Sequence, residues 1–228
     1  MKRKSTAVAL YGLLIALMLV LGLLDKAIPI TWFLSGVIPG VKLGLANTVL
    51  LYALYLMDRR AAALLMVVKA VLSGFIYGSV TAIFISLSGG VLSLLVMMLI
   101  KRSPRVGALG VSALSLAGAA FLLLRGTKLR GDMLWCAILL GLAALAGIGA
   151  YLYIRRHPDN GVVSTSMAGA VAFNIGQTLM AVYIVRLPTQ LLYTYMPFLV
   201  GMGAVVGCLT GIVSRRVFRV LKAGGFAN

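Results

Sequence analysis

The chain contains a succession of apolar runs, each long enough to cross a lipid bilayer as a helix. A membrane-spanning helix needs about 20 predominantly apolar residues. The runs that qualify are residues 6–24, 37–57, 61–80, 82–100, 106–124, 133–154, 163–185 and 190–214, with a very short connection between the third and the fourth. Backbone polar groups in lipid must be satisfied internally, and the alternation of barrel strands is absent, so the runs predict helices. We expect one all-α transmembrane domain over residues 1–228, with about eight spans.

The composition excludes an ordinary soluble enzyme and a disordered chain. The sequence is 62% hydrophobic and 11% charged, whereas soluble domains are about 45–50% apolar and about 25% charged. Twenty-one Lys and Arg face four acidic residues, all of them aspartates, for a net charge of +17. A nucleic-acid-binding protein needs its cations on a solvated face. Here the cations cluster at the ends of apolar runs, which is typical of a membrane protein.

The distribution of basic residues predicts the orientation of the chain. If the runs alternate, one side of the membrane receives Lys2, Arg3 and Lys4, then Arg59 and Arg60, then Lys101, Arg102 and Arg105, then Arg155 and Arg156, and finally Arg215, Arg216, Arg219 and Lys222. Cytoplasmic loops carry the excess of Lys and Arg. We therefore expect a multi-pass protein of the bacterial cytoplasmic membrane with both termini in the cytoplasm. Arg125, Lys128 and Arg130 would lie outside and are the exception.

The N-terminal region and the first external connection each allow two interpretations. Residues 1–24 have the basic start and apolar run of a signal peptide, but no small-residue cleavage site follows. We interpret this run as a retained first span. The connection 25–33 carries Asp25, Pro29, Trp32 and Phe33. It is either an interfacial aromatic anchor or a lid over an outward-facing pocket.

Two lysines inside apolar runs are the strongest candidates for a functional site. Lys42 lies near the outer end of the second run, and Lys69 lies near the middle of the third. A lysine at the bilayer centre costs about 2.5–3.5 kcal/mol, so it is a functional candidate by default, although Lys42 could instead extend to the interface. Every aspartate maps to a loop or to the end of a run, so we expect no carboxylate beside them. A buried cation without a partner loses its proton or holds an anion, which predicts a carboxylate, phosphate or diphosphate ligand.

Other polar and small residues share helix faces. Ser73 and Tyr77 lie one and two turns beyond Lys69 and extend the same lining. Asn174, Gln177 and Thr178 are spaced i, i+3, i+4 in the seventh run, where amide groups either join helices or line a pocket. Glycines recur at four-residue intervals, which lets helices approach closely; the sets are Gly36, Gly40 and Gly44, then Gly74 and Gly78, then Gly203, Gly207 and Gly211.

Several kinds of chemistry lack the residues that they need. The chain has no phosphate-binding loop of the G-x-x-x-x-G-K-[ST] type, no paired aspartates for Mg²⁺ and no carboxylate placed for an ion relay in the bilayer. His157 is the single histidine, which excludes a metal cluster or a Ser-His-Asp set. Cys136 and Cys208 lie inside apolar runs and are interpreted as packing residues. We expect no catalysis by this chain alone, no metal and no resident cofactor.

Several short motifs carry a family resemblance. They are Pro39-Gly40-Val41-Lys42-Leu43-Gly44-Leu45-Ala46-Asn47, then Lys69-Ala70-Val71-Leu72-Ser73-Gly74 followed by Gly78, then Ser88-Gly89-Gly90, Ser166-Met167-Ala168-Gly169-Ala170 and Asn174-Ile175-Gly176-Gln177. Together they resemble the Gx transporter family, also labelled heptaprenyl diphosphate synthase component I. That family is similar to the six-helix substrate-binding S components of energy-coupling factor (ECF) transporters. The resemblance covers about 1–101 and 160–222, so 103–158 is expected to be an inserted helical hairpin. Phe173 stands where the family has a histidine, so the resemblance supports no polar role at that position.

The resemblance implies an S-component-like bundle of six helices plus the inserted pair. The candidate ligand residues are Lys42, Asn47, Lys69, Ser73, Tyr77, Asn174 and Gln177. In an S component the first helix, here around Gly12 and Ala16, contacts a transmembrane coupling subunit, and separate subunits hydrolyse ATP. Some relatives are associated with flavin-based electron transfer, and the synthase label implies a partner in making the isoprenoid chain of menaquinone.

The sequence favours a membrane substrate-binding or permease subunit for an anionic small molecule, such as a vitamin-, flavin- or quinone-related compound. The alternative is a non-catalytic membrane component of heptaprenyl diphosphate or menaquinone metabolism. The expected partners are the anionic ligand, membrane lipids and, for transport, a coupling subunit with ATPase subunits. No nucleic acid is expected.

Overall fold

The computed structural model describes residues 2–27, 44–125, 131–156, 161–186 and 189–223. These residues form eight α-helices and no strand: α1 Lys2–Ala27, α2 Asn47–Leu56, α3 Arg59–Tyr77, α4 Val80–Arg102, α5 Pro104–Arg125, α6 Gly131–Arg156, α7 Val162–Val185 and α8 Thr189–Ala223. Six of these described helices are long and apolar enough to cross a membrane, namely α1 and α4 to α8. The prediction of an all-α integral membrane protein is confirmed.

The second apolar run, residues 37–57, does not form one continuous helix. The chain turns at 44–46, and α2 begins at Asn47. Gly44 has a φ of +81°, in the left-handed region that favours glycine, and its carbonyl oxygen accepts the backbone N–H of Asn47 at 2.8 Å. At 1.5 Å per residue, α2 is about 15 Å long, roughly half of the hydrocarbon core. The expectation of a single span over 37–57 is therefore corrected.

Local capping fixes both ends of α3. The carboxylate of Asp58 accepts the backbone N–H of Ala61 at 2.6 Å, which satisfies one of the donors left open at the start of a helix. At the other end Gly78 takes a φ of +61° and stops the helix in the left-handed conformation. Because α4 then begins at Val80, the two helices are joined by the very short connection that the sequence predicts.

The helices form two apolar clusters, and α7 lies between them. One cluster includes Leu50 and Leu65 and draws mainly on α1 to α4. The other includes Leu140 and Met167 and draws on α5 to α8. Among the six candidate spans, α7 is the most buried and α1 the least. The hairpin α5–α6, which the sequence marks as an insertion, packs against α7 and α8 and is part of the bundle.

Small residues bring α8 directly onto α7. A Cβ atom added to Gly207 would lie 2.7 Å from the Cα of Met167, and one added to Gly211 would lie 2.8 Å from the Cα of Val163. Real Cβ contacts are essentially never this short, so the two backbones meet at a separation that only glycine permits. The four-residue spacing of these glycines predicts this close approach.

Several helix ends meet at one end of the bundle, here called the basic end. The ammonium group of Lys101 on α4 lies 4.7 Å from the ring centre of Tyr55 on α2. The same tyrosine ring stacks on Phe218 of α8. The hydroxyl of Ser164 on α7 donates to the carbonyl oxygen of Pro104 on α5 at 2.6 Å. The ends of five helices therefore lie together here, as the grouping of cations in the sequence predicts.

Some sequence predictions concern residues outside the described part of the chain. These are the connection from residue 28 onward, Lys42, Lys128, Arg130 and His157, and for side chains also Lys2 to Lys4, Tyr77, Arg125 and Cys136. Cys208 lies half-buried on α8 with a free thiol.

Candidate ligand site at Lys69

Lys69 is buried in the interior of the bundle, where α2, α3 and α7 meet. Its side chain is only 4% exposed. The ammonium group donates a hydrogen bond to Oδ1 of Asn47 on α2 and lies 3.9 Å from the ring centre of Phe173 on α7. An uncompensated buried cation is costly, and these two contacts offset part of the cost of burying the ammonium group of Lys69.

Asn47 is the first residue of α2 and is 3% exposed. Its Oδ1 atom accepts from Lys69, so its Nδ2 atom is the remaining donor. Nδ2 is buried and has no hydrogen-bond partner among the described residues. Lys69 and Asn47 therefore present hydrogen-bond donors side by side in an interior position, and such a pair favours an acceptor with negative charge.

Phe173 is fully buried, and two glycines make room for its ring. A Cβ atom on Gly89 of α4 would lie 2.8 Å from the ring, and one on Gly44 would lie 3.0 Å from it. The face of an aromatic ring attracts a cation by about 0.5–2 kcal/mol, depending on desolvation. The position that departs from the family resemblance thus lies in the site and contacts Lys69 through its ring.

Asp25 corrects the expectation that no carboxylate lies near Lys69. Its side chain, near the end of α1, is 6% exposed and accepts the backbone N–H of Leu45, at 3.0 Å to Oδ2 and 3.4 Å to Oδ1. Asp25 and Lys69 both line one small cavity of about 10 Å³. The sequence places Asp25 at the end of a run, but the turn at 44–46 brings Leu45 beside it. The carboxylate is therefore held in the interior.

Ser73 extends this cavity toward α4. Its hydroxyl donates to the carbonyl oxygen of Lys69 at 2.9 Å and lies 3.0 Å from the hydroxyl of Ser86 on α4. Ser73 also lines the cavity with Asp25 and Lys69. Tyr77 is the last residue of α3. The structure thus brings Asn47, Lys69 and Ser73 together, and their role in binding a ligand stays a prediction.

Asn174 and Gln177 lie fully buried on α7 but do not line this cavity. Asn174 donates from Nδ2 to the carbonyl oxygen of Leu199 on α8 at 2.6 Å. Gln177 donates from Nε2 to Oδ1 of Asn174 at 3.0 Å. The bond from Asn174 joins α7 to α8 and fits the first alternative from the sequence, whereas the bond from Gln177 lies within α7 and holds the amide of Asn174 in place. A role for either residue in ligand binding stays a prediction.

The outer face of α1 is open around the two residues predicted to contact a partner helix. Gly12 and Ala16 are both exposed, and a Cβ atom on Gly12 would meet nothing within 4 Å. The neighbouring side chains Val8 and Leu13 are 71% and 65% exposed. This face of α1 is free to contact lipid or another membrane helix.

Two further observations limit the chemistry of the described residues. Within them, no three His, Cys, Asp or Glu side chains come together in a way that could hold a metal ion. The interior groups of the site are one ammonium, one carboxylate, one amide and two hydroxyls. These groups can bind and orient a polar ligand by charge and hydrogen bonds.

The family model of heptaprenyl diphosphate synthase component I matches residues 14–125 and 119–217. The chain belongs to this family. No curated protein and no solved structure matches the sequence. The two matched segments contain Asn47, Lys69 and Phe173, and they also cover both helices of the α5–α6 hairpin. An insertion at 103–158 remains a prediction.

Proposed function

We propose that this member of the heptaprenyl diphosphate synthase component I family is a membrane substrate-binding subunit for an anionic small molecule. The observation that carries the proposal is the pair of buried donors at Lys69 and Asn47. A buried donor without a partner costs about 1–3 kcal/mol, and Nδ2 of Asn47 has none among the described residues. A ligand oxygen placed between the two donors would satisfy Nδ2 and add negative charge beside the ammonium.

Asp25 supports the choice of an anion. The cavity at Lys69 already contains a carboxylate from the chain itself, so its surroundings accept that charge. A ligand carboxylate or phosphate would compete with Asp25 for Lys69. In this proposal Asp25 holds the site closed until a ligand binds, and the ligand then takes over its electrostatic role.

The size of the cavity requires an opening step. A volume of about 10 Å³ is near the minimum for a single water molecule, so no vitamin-sized compound fits beside Asp25. The helix that carries Asp25 is α1, the least buried of the six candidate spans. In the proposed cycle, α1 separates from α3 to admit the ligand, and the exposed face at Gly12 and Ala16 contacts a coupling subunit. Separate ATPase subunits on the cytoplasmic side, at the basic end, would supply the energy.

A second candidate function is favoured by the family match. A non-catalytic membrane component of heptaprenyl diphosphate or menaquinone metabolism would present a prenyl diphosphate to a partner enzyme. The diphosphate is an anion and suits Lys69 and Asn47 as well as a vitamin carboxylate does. The two functions therefore share a site and differ in the ligand and in the partner.

Purification of the tagged full chain from its native membrane tests both functions. Mass spectrometry then identifies the proteins and the small molecules that remain bound. A coupling subunit, ATPases and a vitamin- or flavin-like anion support the transport subunit. A prenyl synthase subunit with a prenyl diphosphate supports the second function and rejects the first. Retention of no anion under gentle detergent conditions contradicts both.

A further inference from the structure

A second polar concavity lies at the basic end, on the last turns of α6. It is a groove of about 650 Å³ lined by Gly149, Leu152, Tyr153, Arg155 and Arg156. This volume lies within the range of small-molecule sites. The groove shares no lining residue with the cavity at Lys69, and no acidic side chain lines it.

A third arginine, Arg215 on α8, lies beside the groove. The guanidinium carbon of Arg215 lies 4.4 Å from the ring centre of Tyr153, and Tyr153 is one of the groove residues. The Nε atom of Arg215 is buried and has no hydrogen-bond partner among the described residues. A planar guanidinium held against an aromatic ring is fixed in orientation, which prepares its remaining N–H groups to bind an oxyanion.

The general bias of cytoplasmic ends toward Lys and Arg accounts for the presence of cations here, but not for this arrangement. A charge that serves only to orient the chain in the membrane can remain solvated, and the side chain of Arg216 is exposed in this way. Arg215 is instead half-buried and keeps a donor without a partner. That combination costs free energy unless a ligand acceptor completes it.

We propose that this groove on α6, with Arg215 beside it, binds a phosphate group at the membrane surface. Arginine forks match phosphate oxygens with two parallel hydrogen bonds, and Arg155 and Arg156 supply further positive charge. Leu152, which is 52% exposed, gives the groove an apolar wall toward the lipid side of α6. The phosphate is carried either by an anionic phospholipid headgroup or by a soluble diphosphate, and the chemistry at Arg215 is the same for both.

Native mass spectrometry of the delipidated full chain in detergent tests this site with two probes. One arm titrates phosphatidylglycerol against uncharged diacylglycerol, and the other titrates inorganic diphosphate. Arg215→Ala should weaken binding of the recognised probe roughly tenfold, because a hydrogen bond to a charged group contributes about 1.5–3 kcal/mol. Arg216→Ala removes the same charge from the next residue and should change binding by no more than about twofold. Binding that Arg215→Ala weakens and Arg216→Ala leaves nearly unchanged supports the site, and the arm in which this difference appears identifies the carrier.

Arg215→Lys separates geometry from charge. It keeps the positive charge but loses the planar fork, so its affinity should fall between those of the wild type and Arg215→Ala. Thermal unfolding of each variant verifies that the bundle remains folded. The proposal is overturned if neither probe binds, or if Arg215→Ala weakens the binding of neither probe more than Arg216→Ala does. Because the two cavities share no residue, the difference between Arg215→Ala and Arg216→Ala reports on the groove and not on the Lys69 site.

Discussion

The side-chain oxygen of Asn47 accepts a hydrogen bond from the ammonium group of Lys69. This contact joins the first residue of a short helix to the middle of α3. It also fixes the orientation of the amide, so that Nδ2 is the group left without a partner among the described residues. The contact therefore both stabilises the lysine and leaves a donor available beside it.

Asn47→Asp should abolish anion binding while the protein remains folded. The new carboxylate has nearly the same shape and would form an ion pair with Lys69, so it would repel an anion and neutralise the cation. We expect at least a roughly tenfold loss of affinity for the anion that copurifies with the wild type, in line with the strength of charged hydrogen bonds. The midpoint of thermal unfolding should not fall. Wild-type affinity in this variant would show that the ligand does not contact this pair.

Asp25→Asn should strengthen binding of the same anion. The amide can still accept the N–H of Leu45, but it no longer competes with a ligand for the positive charge of Lys69. Equilibrium titration of the copurified anion measures the change, and Asp58→Asn at the opposite end of α3 is the control. Asparagine caps a helix as well as aspartate does, so the control should leave affinity unchanged. Weaker binding in Asp25→Asn would mean that Asp25 is itself a ligand-binding group.

Gly44→Ala should destabilise the fold by about 1–3 kcal/mol, because it combines an unfavourable positive φ with a steric clash. The added Cβ would lie 2.9 Å from Nδ2 of Asn47 and 3.0 Å from the ring of Phe173. Gly78→Ala isolates the first effect, since Gly78 has a positive φ but nothing within 4 Å. Gly12→Ala, in an open helical position, should be neutral or slightly stabilising. The midpoint of thermal unfolding in detergent should be lowest for Gly44→Ala, higher for Gly78→Ala and highest for Gly12→Ala. Equal midpoints for the three variants would contradict this account of the turn.

The sequence predicts part of this site well. Lys69 stands out because a lysine inside an apolar run is rare, and Ser73 follows from helical spacing. Asn47 is visible in the motif, but its contact with Lys69 depends on the turn at Gly44, which interrupts an otherwise continuous apolar run. The sequence does not predict Asp25 in the site for the same reason, since its position beside the cavity depends on where the chain turns back. A hydropathy pattern gives the length of an apolar run, but it does not reveal a turn that depends on one glycine with a positive φ.

The sequence alone could not choose between two roles for the amides of α7. Asn174 and Gln177 lie on the same face of α7 whether they join helices or line a pocket. Only the position of Leu199 on α8 shows what Asn174 contacts. A carbonyl oxygen on another helix has no signature in the sequence. The glycine spacing on α8 did predict the close approach, because small residues act through backbone separation alone.

Asn174→Ala should reduce stability and leave ligand affinity unchanged. It removes the bond to Leu199 and leaves Nε2 of Gln177 without its present acceptor. Hydrogen bonds between membrane helices contribute about 0.6 kcal/mol on average and at most about 1.7 kcal/mol. A small drop in the unfolding midpoint is therefore expected, with an unaltered dissociation constant for the copurified anion. Loss of binding at intact stability would instead place Asn174 in the ligand site.

The most direct measurement compares native mass spectra of the wild-type chain and Lys69→Met, both purified from the same membrane. Methionine keeps the length and apolar character of the buried stem while removing the charge, and Lys101→Met makes the same change at the basic end as a control. The account predicts that the wild type and Lys101→Met carry a bound anion of the same mass and that Lys69→Met has lost this anion. A folded Lys69→Met protein that retains this anion at the wild-type level would contradict it.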